Sequence, residues 1–185
     1  MADLNPDTFS HGQVKSKLWL CEQLEPYIKD DSKVIILGGW VNLLGFMMLT
    51  RQPKKYQHIK SIDIDSESVE LADQINSYWI IERILRNEVE DANTFISQGF
   101  DVVINCSAEH MEDSSWFDRI SAGTLVCIQS TNVIDIGDPW HVKTPSPTLN
   151  DFIKKYPLTD VKFTGILPIR YNNWGYDRFM IIGIK

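Results

Sequence analysis

Apolar residues near the start of the chain recur at helical spacing, at Val14, Leu18, Cys21, Leu24 and Ile28, and Ser10 with Gln13 three places on fits a capping box. This predicts a helical segment within residues 1–30, disturbed near Pro26, because proline lacks the amide hydrogen that a helix interior needs. The pattern then changes. Residues 34–37 form an unbroken Val-Ile-Ile-Leu run stopped by Gly38-Gly39, as expected for a short strand covered on both faces. Residues 43–50 suit a helix and 59–64 a second strand. Ser66 is placed to cap a further helix with Val69, Ala72, Ile75 and Trp79 on one face.

A weak strand signal lies at 88–91 and a strong one at 101–106; a helix is predicted over 116–120 and a strand over 123–129. Alternation of strand and helix implies parallel strands joined by right-handed crossovers, a doubly wound α/β architecture. The end of the chain departs from it. Residues 161–167 and 179–184 read as strands joined by a loop containing Pro, Asn and Gly, so the last strand runs antiparallel to its predecessor.

A length of 185 residues suits one domain spanning 1–185, and 43% hydrophobic with 23% charged residues excludes disordered and fibrous classes. Lys and Arg number 18 against 25 Asp and Glu, a formal charge of -7, which disfavours nucleic acid as a partner. No apolar run approaches bilayer length and residues 1–10 lack the features of a secretory leader, so a cytoplasmic protein without membrane contact is expected. Cys21, Cys106 and Cys127 form no Cys-x-x-Cys pair, and His11, His58, His110 and His141 show no ligand spacing, so neither disulfides nor a metal are expected.

Ligands of open α/β sheets bind beyond the carboxyl ends of the strands. Gly38 and Gly39 follow the first strand there, and Asp63 stands 24 positions after Gly39, where a carboxylate can accept hydrogen bonds from both ribose hydroxyls. The competing reading makes the glycines a plain turn and Asp63 a solvated strand end; for Asp65, support of the following helix is the preferred role.

Taken together, these segments resemble the class I S-adenosylmethionine-dependent methyltransferases. Residues 34–39 resemble the family's first motif, 61–65 the second, whose acid holds the cofactor ribose, 87–92 the third and 101–111 the fourth. The resemblance covers residue 33 to the C-terminus. It implies a Rossmann-like, mostly parallel seven-stranded sheet with an antiparallel last strand, and S-adenosylmethionine as cofactor. Its cofactor-binding positions would be Gly38, Gly39, Trp40, Asp63, Ile64, Asp91, Ala92 and Asn105, with Asp91 facing the adenine amino group. Gly-Gly-Trp-x-Asn-Leu-Leu-Gly together with residues 105–111 is most similar to small methyltransferases of bacteriophages, which would place the protein in the host cytoplasm. Two positions depart from the family: Ile36 stands where an acid is usual and Trp40 where another glycine is usual. Trp40 either narrows the pocket or packs into the core.

Methyl transfer from a sulfonium is an in-line displacement that alignment and water exclusion can accelerate without a catalytic triad. Glu109 or His110, following the fourth strand, could act as a base, and Asn105 could orient the acceptor; a polar loop or helix start is the plainer reading of Glu109-His110. Amino-methylating relatives continue with Pro-Pro and an aromatic, which Cys106-Ser107-Ala108 does not match, so the acceptor is expected to be a small molecule or a protein. Cys106 and Cys127 read as packing residues. Trp140 and His141, and Tyr171, Trp174 and Tyr176, lie in two connections that could form an acceptor pocket, a lid or a homo-oligomer contact. Two other readings stand beside the enzyme: a noncatalytic methyltransferase-like assembly module, and a nicotinamide-dependent oxidoreductase lacking the full Gly-x-Gly-x-x-Gly pattern.

Overall fold

The computed structural model describes residues 4–133 and 143–185. Its sheet grows outward from the most apolar run: Val34, Ile35, Ile36 and Leu37 are all buried, so β1 (Ser32–Leu37) lies between two parallel neighbours and under helices on both sides. The other strands are β2 (Tyr56–Asp63), β3 (Leu85–Val89), β4 (Val102–Asn105), β5 (Leu125–Thr131), β6 (Asp160–Arg170) and β7 (Gly175–Ile184). Their order is β3-β2-β1-β4-β5-β7-β6. β7 slots between β5 and β6, antiparallel to both, as the missing helix before it requires.

The helices are α1 (His11–Leu24), α2 (Leu43–Arg51), α3 (Ser66–Ile75), α4 (Ser77–Ile81), α5 (Ser115–Asp118) and α6 (Leu149–Lys155). Leu20, Cys21 and Leu24 of α1 pack with Leu44, Met48 and Leu49 of α2 over one face of the sheet, through Val34, Ile36, Ile104, Cys127, Met180 and Ile182. Alternate strand residues, Ile35, Leu37, Val103, Val126, Phe179 and Ile181, meet Trp116, Phe117, Phe152 and Tyr156 on the other. Among the described residues no helix is long and apolar enough to cross a membrane.

Several boundaries differ from those the sequence predicts. Leu18 is exposed, and the first half of α1 buries Gly12, Ser16 and Lys17 instead, because it lies over polar strand ends rather than over the core. Ser10 Oγ accepts from Gln13 N at 3.3 Å, but the Gln13 side chain donates to Asp7 Oδ2 at 3.2 Å, so only half of the capping box forms. Pro26 starts no break inside α1; it sits in a single 3₁₀ turn, Glu25–Tyr27, after the helix has ended.

The N-cap of α3 is Asp65, whose Oδ1 accepts from Glu67 N at 3.2 Å, and Ser66 is the first helical residue. α3 stops at Asn76, whose side chain donates to the carbonyls of Ala72 and Asn42, and this transfers Trp79 to α4. β3 begins three residues earlier than predicted because Leu85 pairs with Ile59 and fills the core edge. β5 runs on to Thr131, while β6 and β7 are longer than their apolar runs because their mutual pairing continues through polar residues to Arg170 and Gly175.

Candidate functional site

β1 and β4 are adjacent, yet their following helices leave in opposite senses from the sheet order, which opens a crevice at their carboxyl ends. The chain crosses this point in a tight turn. Gly38 has φ 60°, and Trp40 and Asn42 also adopt left-handed φ values of 51° and 47°. Trp40 therefore takes the backbone conformation that explains the glycine usual in its place, at a strain a bulky residue adopts only when its surroundings impose it. Gly39 is required by contact: its amide donates to Ile62 O at 3.0 Å, and a Cβ there would collide with Ser61 Oγ.

Asp63 closes the turn from the β2 side. Its Oδ2 accepts from Trp40 N at 2.7 Å and its Oδ1 from Asp65 N at 3.0 Å. Burial raises its pKa above the usual aspartate value, against the opposing pull of those backbone amides. The carboxylate is thus held rigidly at the strand tip, with lone pairs left for further donors. Ile64, the next residue, is 68% exposed, and Val89, paired with Asp63 on β3, is exposed too. An apolar surface therefore flanks the acid.

Beyond β3, Asp91 Oδ1 accepts from both the backbone and side-chain nitrogens of Asn93 at 2.8 and 2.9 Å, forming a compact turn, and Ala92 packs into the core. Asn105 ends β4 beside Leu37; its Oδ1 accepts from Ser107 N at 3.0 Å, whereas its buried Nδ2 has no hydrogen-bond partner among the described residues. Gly38, Gly39, Trp40, Asp63, Ile64 and Asn105 thus gather around the β1 crevice. Asp91 and Ala92 stand at its outer end.

Sequence reasoning missed the residues that hold this turn in shape. Asn42, fully buried, caps α2 by accepting from Gly45 N at 3.0 Å and donates to Asn87 Oδ1 at 2.7 Å. Asn87 in turn donates to Asp73 Oδ1 at 2.8 Å, so one amide chain joins the turn, β3 and α3. The signal for Asn42 was present, since Asn three residues before Gly45 and directly ahead of an apolar run has N-cap spacing. On the β4 side, Ser107 Oγ donates to Gly38 O at 3.2 Å, and Met111 Cε lies 3.1 Å from where a Gly38 Cβ would stand. Two side chains therefore cover the first glycine.

Glu109 and His110 lie in a 3₁₀ turn after β4 and point to different environments. Glu109 is 2% exposed, and its Oε1 accepts from Arg178 Nη1 of β7, while Arg178 Nη2 donates to Cys106 O at 2.8 Å. The backbone carbonyl of Glu109 accepts from Lys143 N and Thr144 N at 2.7 and 2.9 Å. That placement suits an anchor better than a mobile base. His110 is largely exposed, with Nε2 3.9 Å from Glu109 Oε1. Lys17 of α1 is buried as well, its Nζ donating to Gln13 Oε1 at 2.5 Å. Neither Lys17 nor Arg178 carries a motif, because only tertiary packing brings α1 and β7 to the β4 tip.

Tyr171, Trp174 and Tyr176 form a ladder at the β6–β7 turn, with centroid separations of 4.5 and 5.8 Å. Tyr171 OH accepts from Gly12 N at 3.1 Å, joining the ladder to the start of α1. A hollow of about 480 Å³ lined by His11, Arg170, Tyr171, Asn172, Asn173 and Trp174 opens at this ladder. Trp140 and His141 lie outside the described residues. Cys21, Cys106 and Cys127 are buried free thiols, and no group of metal-ligating side chains occurs among the described residues.

No protein-family model matches the chain, and no curated protein matches it. Solved structures do. The N-methyltransferase NodS of Bradyrhizobium japonicum WM9 superposes with a TM-score of 0.67 at 12% identity, over 98% of this chain and 100% of that one. Geranyl diphosphate C-methyltransferase of Streptomyces coelicolor A3(2), solved with S-adenosyl-L-homocysteine, gives 0.66 at 9% identity, over 93% and 79%. YcgJ of Bacillus subtilis gives 0.69 at 14%, over 93% and 98%. The fold is the methyltransferase fold. At these identities the likeness extends to the arrangement of strands and helices and no further.

Proposed function

We propose that the protein is an S-adenosylmethionine-dependent methyltransferase acting on a small-molecule or protein acceptor. The observation that carries this reading is the Asp63 carboxylate, fixed by Trp40 N and Asp65 N at the mouth of a glycine turn whose second glycine packs against Ser61. This arrangement fits the ribose of a nucleoside, with Ile64 offering an apolar wall to the base and Asp91 a polar end to the same groove. When bound, S-adenosylmethionine would supply an electrophilic methyl group on its sulfonium. The chain's own part is to orient the acceptor and to exclude water, work that suits Asn105 with its unpartnered amide nitrogen and the α1 segment packed over the β4 tip.

Calorimetry with S-adenosylmethionine and S-adenosylhomocysteine tests the reading. Binding that falls at least about tenfold in Asp63→Ala, the effect of removing a charged hydrogen-bond acceptor, supports it. Unchanged binding would remove the ribose role.

A second reading, a noncatalytic module that keeps the fold, is favoured by Ser107 and Met111 lying over Gly38. Cofactor binding without turnover on a broad acceptor panel distinguishes it. A nicotinamide oxidoreductase would instead quench on titration with NADH; β7, inserted antiparallel between β5 and β6, speaks against it. Phage origin rests on the sequence motif alone, and a cytoplasmic location rests on the sequence reading.

A further inference from the structure

We propose that the hollow at the β6–β7 turn is a subsite for an uncharged sugar ring carried at the remote end of the methyl acceptor. The inference deepens the methyltransferase reading and rests on it for the word acceptor; the sugar subsite itself stands on the geometry and chemistry of the turn.

The turn is held in shape from below and from the side. Tyr171 N donates to Trp174 O at 2.8 Å, which closes it. Arg170 folds beneath, donating through Nη1 to Ile169 O and Tyr176 O at 3.0 and 2.6 Å and through Nη2 to Asp177 Oδ1 at 2.7 Å. Gly175 leaves room for that fold, since a Cβ there would stand 2.8 Å from Arg170 Cδ. At the start of α1, a Cβ on Gly12 would lie 2.6 Å from the Tyr176 hydroxyl and 2.8 Å from the Tyr171 hydroxyl. Its absence lets both phenols converge there, and Tyr171 OH accepts from the Gly12 amide at 3.1 Å. A wall fixed in advance loses little freedom when a ligand arrives.

The lining combines an aromatic wall with free amides. Tyr171 and Trp174 stack with centroids 4.5 Å apart and planes 11° from parallel, while Trp174 stays 55% exposed. Rings this close admit no proline or base between them, so a guest must lie against their outer surface. His11 meets Tyr171 edge-on at 6.1 Å and bounds the hollow on the α1 side. Asn172 and Asn173 are exposed, and their side chains bond none of the described residues, so each offers a carbonyl acceptor and an NH₂ donor. Arg170 is already matched by Asp177, which leaves an anion little to gain from its guanidinium. A purely apolar ligand would cover the amides without replacing their hydrogen bonds, at a cost. A sugar ring meets both demands, with a C–H face for the aromatic wall and a rim of hydroxyls that donate and accept. The volume of about 480 Å³ falls in the usual range for small-ligand sites, about 300–1,000 Å³.

The position suits the far end of an acceptor. β6 is antiparallel to β7, and β7 to β5, so β6 runs in the same direction as β5, β4 and β1. Its carboxyl end at Arg170 therefore lies on the same edge of the sheet as Leu37 and Asn105, where the cofactor crevice opens. The order β4-β5-β7-β6 puts three strand spacings between the two places, about 14 Å. A sugar in the hollow is thus too far away to be the reacting group. It is the distant part of a molecule that reaches from β6 to β4, and its binding energy would serve to align the near end with the methyl group.

The test starts with the full chain on an array of neutral and of sialylated or sulfated oligosaccharides. Neutral glycans should be captured, and the best of them should saturably shift the Trp174 indole N–H in ¹H–¹⁵N spectra, a resonance assigned through Trp174→Phe. Trp174→Ala should weaken that binding about tenfold or more, and Asn172→Ala/Asn173→Ala about tenfold, the loss of an aromatic contact and of two hydrogen bonds. All three side chains are exposed, so the variants should keep the thermal midpoint of the parent. No capture, capture of acidic glycans alone, an unmoved Trp174 resonance, or unaltered affinity in both variants would overturn the proposal. S-adenosylhomocysteine, titrated into the same samples and read at the Gly39 and Trp40 amides, reports separately on the cofactor. It should bind alongside the glycan, and displacement of one by the other would overturn the placement 14 Å apart. Glycan binding in a protein that does not bind S-adenosylhomocysteine would sink the methyltransferase reading and leave the sugar subsite standing.

Discussion

Arg178 of β7 holds Glu109 of the β4 turn in a buried ion pair and bonds the neighbouring Cys106 carbonyl at 2.8 Å. The strand that makes the sheet antiparallel thus also fixes the loop beside the proposed site. Removing one partner strands the other charge in a dry environment, so Arg178→Leu should destabilise the protein by about 3–5 kcal/mol. Thermal unfolding should show the double variant Arg178→Leu/Glu109→Leu to be more stable than the single one.

Gly39→Ala should be destabilising by about 1–3 kcal/mol, the cost of overpacking a closed interior site. The new methyl group would meet Ser61 Oγ and, at 3.3 Å, Ser61 Cβ. Adding Ser61→Gly removes both contacts and should recover most of the loss in denaturant midpoint, whereas Ser61→Ala should recover less.

Asn42→Ala should cost more than Asn42→Gly. Both lose the cap on α2 and the bond to Asn87, together about 1–3 kcal/mol, but alanine alone also carries the strain of φ 47°. Urea unfolding of the two variants separates the side-chain contribution from the backbone one.

Binding of S-adenosylhomocysteine should weaken on acidification, and earlier than an ordinary aspartate would make it. The ribose hydroxyls need the charged form of Asp63 as acceptor, and burial raises the pKa at which that form is lost. For stability the sign is opposite: the cost of burying the charge is absent below the unfolded-state pKa and complete once the pH has risen past the folded-state value. Calorimetry across pH, with Asp63→Asn giving a flatter profile, checks both.

Met111→Ala should bind S-adenosylhomocysteine more tightly while losing about 2–5 kcal/mol of stability, the range for emptying a buried methionine site. The Met111 methyl group sits against Gly38, within the crevice a cofactor would enter. Equal affinity in both proteins would mean that Met111 does not obstruct it.

Much of the fold was legible beforehand because it depends on local patterns. A run such as 34–37 can only be stable where water is excluded from both faces, and the absence of a helix between the last two strands forces them antiparallel. Gly38-Gly39 and Asp63 could be paired from spacing alone, since turn and strand tip are separated by one strand and one helix of ordinary length. Element ends were harder to place. Asp65 displaced Ser66 as a cap by accepting from Glu67 N, and Asn76 split one helix into two by donating to the carbonyls of Ala72 and Asn42, because hydrogen bonds between side chains and backbone decide where a helix starts and stops.

The amino-acid order by itself therefore determined the layered α/β architecture, the reversed final strand and the glycine-acid pair at the crevice, all of which follow from hydrophobic periodicity and backbone stereochemistry. Only the tertiary structure decided that Arg178 pairs with a buried Glu109, that Ser107 and Met111 lie over Gly38, and that Asn42 ties the turn to β3. These contacts join residues up to 73 positions apart, the span from Gly38 to Met111. Their energies depend on burial and on mutual distance, quantities that arise only when the sheet has brought its strands together.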